Sequence, residues 1–299
     1  MHLKLINIRL NIIAVLFLLN GLNAQSSKYL NQLVDSIPNG KPVFVNFEVE
    51  KGYMATERIA ISNDGKRIFY GVRNGYDSIS KAHILEICYK NKSWSKPKIV
   101  FADSSGAPAF SKNEKVLYFQ YDHPNSPVGI YSDKTKEGWT KPKRFLSTLK
   151  KSHYLQSPNK NNYYYSAGIK GNPEVQDIFN VVVSKSDTII KSLNFNIKGD
   201  FIDFYVSQDE SFLLLFINKK RNGDVYEFYG NTDMFISFKT NKGVWSFPKN
   251  MGREVNSVSP WNWGPYVTND RKYLFFSSWP KKVGTYMIDF ESIYKRLKP

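Results

Sequence analysis

Glu57 and Asp203 are the carboxylates of this chain best placed, by their neighbours, to take part in chemistry. Arg58 and Arg73 follow the first, and the basic run Lys219-Lys220-Arg221 follows the second. Two carboxylates held across a gap can serve as acid and base in glycoside cleavage. Trp261, Trp263, Trp279, His123, His153 and Tyr154 stand in comparable stretches. Tryptophan faces stack on sugar rings, and neighbouring Lys or Arg neutralise an acidic group, so this set suits a sugar or an acidic ligand.

Other chemistries find less support. A zinc site needs several His, Cys or carboxylate ligands in close array. Beyond the first two dozen residues the chain has only His83, His123 and His153, set far apart, so no metal is expected. Its one cysteine, Cys88, forms neither an intramolecular disulfide nor a Cys-His nucleophile pair. No phosphate loop, G-x-S-x-G elbow or dinucleotide fingerprint occurs, and no cofactor is expected. A sialidase Asp-box would need Ser-x-Asp-x-Gly-x-x-Trp; Ser62-Asn-Asp-Gly-Lys-Arg-Ile-Phe carries its glycine one place early and has no Trp.

The elements that must position these residues are repeats. Ser62, Ser111, Ser157, Ser207 and Thr268 are each followed two residues later by Asp or Asn (Asp64, Asn113, Asn159, Asp209, Asp270). Seven residues later each is followed by a large apolar residue (Phe69, Tyr118, Tyr164, Leu214, Phe275). The intervals, roughly 45 to 60 residues, are those of propeller blades. Asp and Asn at a tight turn bond the amides the turn leaves free, and the aromatic strand that follows packs on the next sheet. Three units close on Trp-x-x-Pro, at Trp94, Trp139 and Trp245; the third unit lacks it.

The expected fold is therefore all-β: a β-propeller of four-stranded blades, five by counting, with six open if a degenerate blade hides in residues 41–58 or in the fourth unit's insertion. The fifth unit lacks a fourth strand, since 291–299 reads as a short basic helix. The alternating run Val43 to Val49 supplies it, closing the ring and removing two exposed edges. Within that fold, the loops entering each innermost strand carry Glu57, Arg58, His153, Tyr154, Asp203, Trp261 and Trp263. The loops between second and third strands carry Arg73, Asp122, His123, Lys219, Lys220, Arg221, Trp279 and Lys281. Both sets fall on one face around the channel, where propellers usually bind ligands. Trp261 and Trp263 either stack on a ligand there, or plug the channel or cap the last blade.

Residues 1–24 join Lys4 and Arg9 to a short apolar run, Ile12 to Leu19, too short to span a membrane. They read as a cleaved export signal with no cysteine for a lipid anchor, so a periplasmic or secreted protein is expected. Residues 25–40 read as a linker or one short helix, and 41–299 as a single domain. The formal charge is +16. In an exported protein such a surface faces acidic glycans or lipid phosphates and not nucleic acid. The lysines are dispersed, with no run of five or more basic residues, which is also what solubility alone would produce.

The run Asp233-Met-Phe-Ile-Ser, Gly243-Val-Trp-Ser-Phe-Pro, Asn250-Met-Gly, Val255-Asn-Ser, Pro265-Tyr-Val-Thr-Asn-Asp and Leu274-Phe-Phe-Ser-Ser resembles the WD40-like repeat of TolB-type propellers and of many exported Bacteroidetes proteins. Thr285 to Pro299 is similar to the tail that closes stand-alone members. The resemblance covers residues 41–299 and departs from the pattern in the third unit. It implies action by binding a protein or glycan of the cell envelope; a monomer is expected. The alternative expectation is a carbohydrate-active or lactone-hydrolysing enzyme on the channel face.

Overall fold

The computed structural model describes residues 27–75, 81–102, 105–121, 128–145, 152–159, 161–169, 172–184, 187–193, 195, 203–223, 225–256, 261–279 and 282–299. The export signal expected over 1–24, and Asp122, His123 and Lys281, lie outside them. Among the described residues no helix is long and apolar enough to cross a membrane.

The chain folds as five antiparallel sheets. Strand β1 (Val43–Phe44) pairs not with its chain neighbour but with the last blade. Blade 1 runs β2 (Met54–Ile61), β3 (Arg67–Arg73), β4 (Ala82–Lys90), with the short β5 (Ser93–Trp94) and then β6 (Lys98–Phe101) both on β4. Blade 2 is β7 (Ser105–Phe110), β8 (Val116–Tyr121), β9 (Val128–Asp133) and β10 (Lys143–Arg144). Blade 3 is β11 (Ser152–Asn159), β12 (Asn162–Ile169), β13 (Asn172–Val183) and β14 (Thr188–Ser192). Blade 4 is β15 (Phe204–Val206), β16 (Phe212–Asn218), β17 (Thr232–Phe238) and β18 (Lys249–Asn250). Blade 5 is β19 (Asn262–Val267), β20 (Tyr273–Ser278), β21 (Gly284–Asp289) and, outermost, β1, with Val43 opposite Met287. The architecture is a five-bladed propeller closed by the N-terminal strand, and Glu291–Leu297 forms the expected terminal helix.

The Ser/Thr turns make each blade fold locally. Asp64 Oδ1 accepts the Lys66 N–H at 3.0 Å, and Ser62 Oγ accepts the Arg67 N–H at 2.9 Å. The same pair of bonds recurs at Asn113 and Ser111, at Asp209 and Ser207, and at Asp270 and Thr268. In blade 3 the pattern breaks, and Ser157 Oγ donates to the Asn159 and Asn162 carbonyls instead. The residue after the Asp or Asn sits at left-handed φ in four blades: Gly65, Glu114, Glu210 and Arg271. Only the first is glycine, and the other three use their long side chains to grip the preceding blade. Glu114 accepts the Asn63 N–H, Glu210 accepts Asn159 and the Tyr164 hydroxyl, and Arg271 pairs with Asp209.

Burial lies between the sheets. Ala60, Phe69 and Ile84 of blade 1 pack on Leu117, Phe119 and Ile130 of blade 2. The closing tryptophans reach back to the preceding blade, Trp139 edge-on to Phe69 and Trp245 edge-on to Tyr164. Upstream of β1, a turn of 3-10 helix at Leu30–Leu33 buries Leu30 and Leu33 in the cluster that joins blades 5 and 1.

Candidate functional site

The innermost strands are irregular where they approach the axis. In β7, β11 and β19 the register slips by one residue, at Gly106 to Ala109, Ser152 to Leu155 and Trp263 to Tyr266. In β2 the slip is larger: four steps along the strand, Thr56 to Ala60, face two along β3. Bulges bend a strand and re-aim its groups, and blades 2 and 5 use small or ring-closed residues there, whereas blade 3 has His153-Tyr154. Ala107-Pro108 and Gly264-Pro265 place a left-handed residue before a proline, which has no N–H to miss from the ladder. Blade 1 places Glu57, also left-handed at φ 73°, and Arg58 at this point.

Arg58 fills the channel. It is fully buried, and its guanidinium donates to the backbone carbonyls of Ala107 at 3.0 Å, Pro108 at 3.3 Å, Leu155 at 2.9 Å and Phe204 at 3.1 Å. One side chain of blade 1 thus ties blades 2, 3 and 4 together, and its charge lies 4.8 Å from the Tyr154 ring. Burial lowers its pKa to about 10, against the pull of Tyr154, Asp203, Tyr205 and Glu57, so it stays a cation at neutral pH. Gly264 completes the circle. A Cβ there would lie 2.6 Å from the Arg58 nitrogen and from the Glu57 carbonyl carbon, so blade 5 touches blade 1 with no room for a side chain.

The two candidate carboxylates do meet here. The Tyr154 hydroxyl donates to Glu57 Oε2 at 2.7 Å, and the Asp203 carboxyl lies close enough to interact with both. Glu57 Oε1 accepts from Arg73 Nη1 at 3.1 Å. Asp203 Oδ2 accepts the Gly264 N–H at 2.8 Å. Burial, and then the neighbouring Glu57 charge, push the Asp203 carboxyl well above the ordinary carboxylate range; the Gly264 and Tyr154 bonds and the Arg58 charge oppose this. Burial raises the Tyr154 phenol further still. Among the described residues two small spaces adjoin these groups: about 10 Å³ beside Glu57, Arg73 and Gly106, and about 30 Å³ beyond Arg58 toward Tyr205, Tyr266 and Asn269. The first holds at most a water, and neither holds a sugar ring. Among the described residues no three His, Cys, Asp or Glu side chains gather as metal ligands.

Farther along the axis the middle residues of three of the repeated turns bond one another. Asn63 Oδ1 accepts both Asn269 Nδ2 at 2.7 Å and Gln208 Nε2 at 3.3 Å. Sequence reasoning gives the Asp and Asn of these turns a local role in bonding turn amides. Their Asp and Asn members stay apart, yet these intervening side chains do converge on the axis.

Of the remaining candidates, Lys220, Trp261 and Trp279 lie on the rim of blades 4 and 5. Asn218 at the end of β16 caps the helical turn Lys219–Asn222 by accepting the Lys220 N–H, which leaves Lys220 exposed. Asn218 is opposite Thr232, Thr232 bridges Trp261, and the Trp279 N–H donates to the Trp261 carbonyl at 3.2 Å. Trp261 and Trp279 are 45% and 52% exposed, unusual values for the residue type, whereas Trp263 is half-buried in the β19 bulge. Arg221 lies in the same helical turn, and His153 lies on β11; their side chains are outside the described set. Arg73 pairs with Glu57 within blade 1, and Arg58 and Asp203 are buried.

No protein-family model matches the sequence, and no curated protein matches it. Among solved structures the chain is similar to the crystal structure of TolB from Acinetobacter baumannii, with TM-score 0.53 and 13% identity over 79% of this chain. The fold is that of a TolB-like β-propeller. This propeller spans about half, 53%, of the TolB chain it matches. It is also similar to the catalytic domain of a GH62 α-L-arabinofuranosidase from Coprinopsis cinerea, with TM-score 0.51 and 9% identity, covering 86% of this chain and 95% of that one. At such identities the likeness is one of fold, and the residues of the propeller's own axis and rim bear the functional argument.

Proposed function

We propose that this chain is an exported propeller that works by binding, holding an envelope protein or a glycan on the rim of blades 4 and 5. The observation that carries the reading is the Arg58 plug. A channel whose centre is occupied by a cation bonded to four backbone carbonyls leaves recognition to the outer surfaces. On the rim, the exposed faces of Trp261 and Trp279 stack on rings or peptide planes, and Lys220 supplies charge beside them. The two carboxylates support the competing hydrolase reading only by their proximity. Both serve as acceptors for framework groups: Glu57 for Arg73 and the buried Tyr154 hydroxyl, and Asp203 for the Gly264 N–H.

Capture from envelope extracts, paired with a glycan array, tests this. The unaltered protein is expected to retain a partner or glycan that the double variant Trp261→Ala/Trp279→Ala loses, with the melting temperature unchanged. Retention of every interaction by that variant would overturn the rim assignment. A hydrolase screen that finds turnover abolished by Glu57→Gln would overturn the binding reading altogether.

A further inference from the structure

A larger concavity lies away from both the channel and the rim. It runs between the outer strands of blade 1 and the β9–β10 hairpin of blade 2 and measures about 960 Å³, the upper end of the range for small-ligand sites. Lys66, Lys90, Lys98, Lys134 and Lys136 line it, and all five are exposed. Among the described residues none of the five enters an ion pair. The acids beside them are mostly committed. Glu86 pairs with Arg67 at 2.7 Å, and Asp64 accepts the Ser62 hydroxyl and the Lys66 N–H inside its turn. That leaves Glu137 as the one lining carboxylate without a bond or ion pair among the described residues. The groove therefore has an uncompensated positive field, and its concave walls concentrate that field on whatever enters.

Its floor is aromatic. Tyr29 packs against Tyr89 with ring centroids 4.2 Å apart, and the Trp94 indole fixes the Tyr29 backbone by donating to its carbonyl at 3.2 Å. Lys66 stands 6.0 Å from the Tyr29 ring, so a cation and an aromatic surface are presented together. Asn91 and Thr135 add uncharged polar groups to the lining.

We propose that this groove is a second binding site, for an oligosaccharide of uronic acids. Each element of such a ligand has a counterpart here: ring carboxylates for the spaced ammonium groups, C–H faces for the tyrosines, and hydroxyls for Asn91 and Thr135. Arg67, the lining residue with a fork suited to bidentate phosphate recognition, is already engaged by Glu86, which favours carboxylates over a nucleic-acid backbone. The site stands independently of the rim of blades 4 and 5.

Calorimetric titration of the full chain with tetragalacturonate, its fully methyl-esterified counterpart and oligothymidylate tests the assignment. The free acid binds and the ester does not. The variant Lys66→Glu/Lys90→Glu/Lys134→Glu weakens binding by about tenfold or more, while Lys41→Glu/Lys51→Glu/Lys242→Glu, with the same change in net charge, stays within about threefold. Equal loss in both variants, equal binding of the ester, tighter binding of oligothymidylate, or no binding of the acid by the unaltered protein would each overturn it. None of these results bears on capture by Trp261 and Trp279, so the two readings fail separately.

Discussion

Arg58 and the groove lysines are both concentrations of positive charge, and they differ in every other respect. Arg58 is fully buried with four carbonyl acceptors from three blades; the five lysines are exposed and unpaired among the described residues. A buried cation satisfied by backbone oxygens is part of the framework, because removing it strands the acceptors it had desolvated. An exposed lysine without an acid partner contributes almost nothing to folding and keeps its charge available. Charge by itself does not mark a functional residue; what the charge is already bonded to does.

The sharpest way to break the comparison is Arg58→Met, which keeps most of the volume and removes all the donors. Four carbonyls at the axis lose their partner, and a loss of about 3–5 kcal/mol is expected, a fall in melting temperature on the order of 10 °C. Thermal and denaturant unfolding measure it, and a loss below about 1 kcal/mol would show that the blades hold the axis without the plug. Arg58→Lys, with three donors on a flexible stem, is expected to recover only part.

Gly264→Ala attacks the same point from blade 5. Its Cβ would meet backbone atoms of Arg58 and Glu57 at 2.6 Å, at a φ of 61°. Backbone cannot rotate aside as a side chain can, so about 2–3 kcal/mol is expected. Gly243→Ala is the control, since it has left-handed φ but nothing within 4 Å, and about 1 kcal/mol suffices there. Equal effects at the two glycines would mean that the axis is not close-packed.

Asp203 supplies the pH dependence. Its folded-state pKa lies above the unfolded value of 3.8, so the native state binds the proton more tightly than the unfolded chain. The sign follows from linkage: its contribution is most favourable below the unfolded pKa and is lost as pH rises through the folded value. Asp203→Asn keeps an oxygen for the Gly264 N–H and cannot ionise. The variant is expected to lose less stability than the unaltered protein between pH 5 and pH 8, read from denaturant midpoints at the two pH values. Parallel curves would place the proton elsewhere in the Glu57–Tyr154–Asp203 cluster.

How much of this was legible in the sequence follows from the reach of the interactions. The blades were, because a Ser or Thr bonding an amide five residues on is a local event that repeats in the text, and the break at Ser157 coincides with the unit that also lacks its closing Trp. Ring closure was legible as a missing strand at one end and a surplus one at the other. Glu57 and Asp203 were singled out from their neighbours in the chain, but the plug beside them was not foreseen. Its acceptors are main-chain carbonyls at Ala107, Pro108, Leu155 and Phe204, which have no signature in residue type. The available signal was that blade 1 puts Glu-Arg where blades 2 and 5 put Ala-Pro and Gly-Pro, two large charged residues where those two blades take small ones. The groove was hidden for a related reason: its lysines belong to three separate stretches of chain, and only the packing of two blades brings them together.

The smallest effect expected is on the stability of the groove variant, and it carries as much information as the largest. Replacing Lys66, Lys90 and Lys134 by Glu reverses three exposed charges that form no ion pair among the described residues. Lys66 also stands over Tyr29, a contact worth about 0.5–1 kcal/mol at an exposed site. Against this, moving a strongly basic surface toward neutrality relieves self-repulsion. The two terms oppose one another, so the unfolding free energy is expected to stay within about 0.5 kcal/mol of the unaltered protein. A loss of 2 kcal/mol or more in denaturant unfolding would mean that the lysines hold blades 1 and 2 together, and the distinction between a spent cation and an available one would then fail at the place where it was drawn.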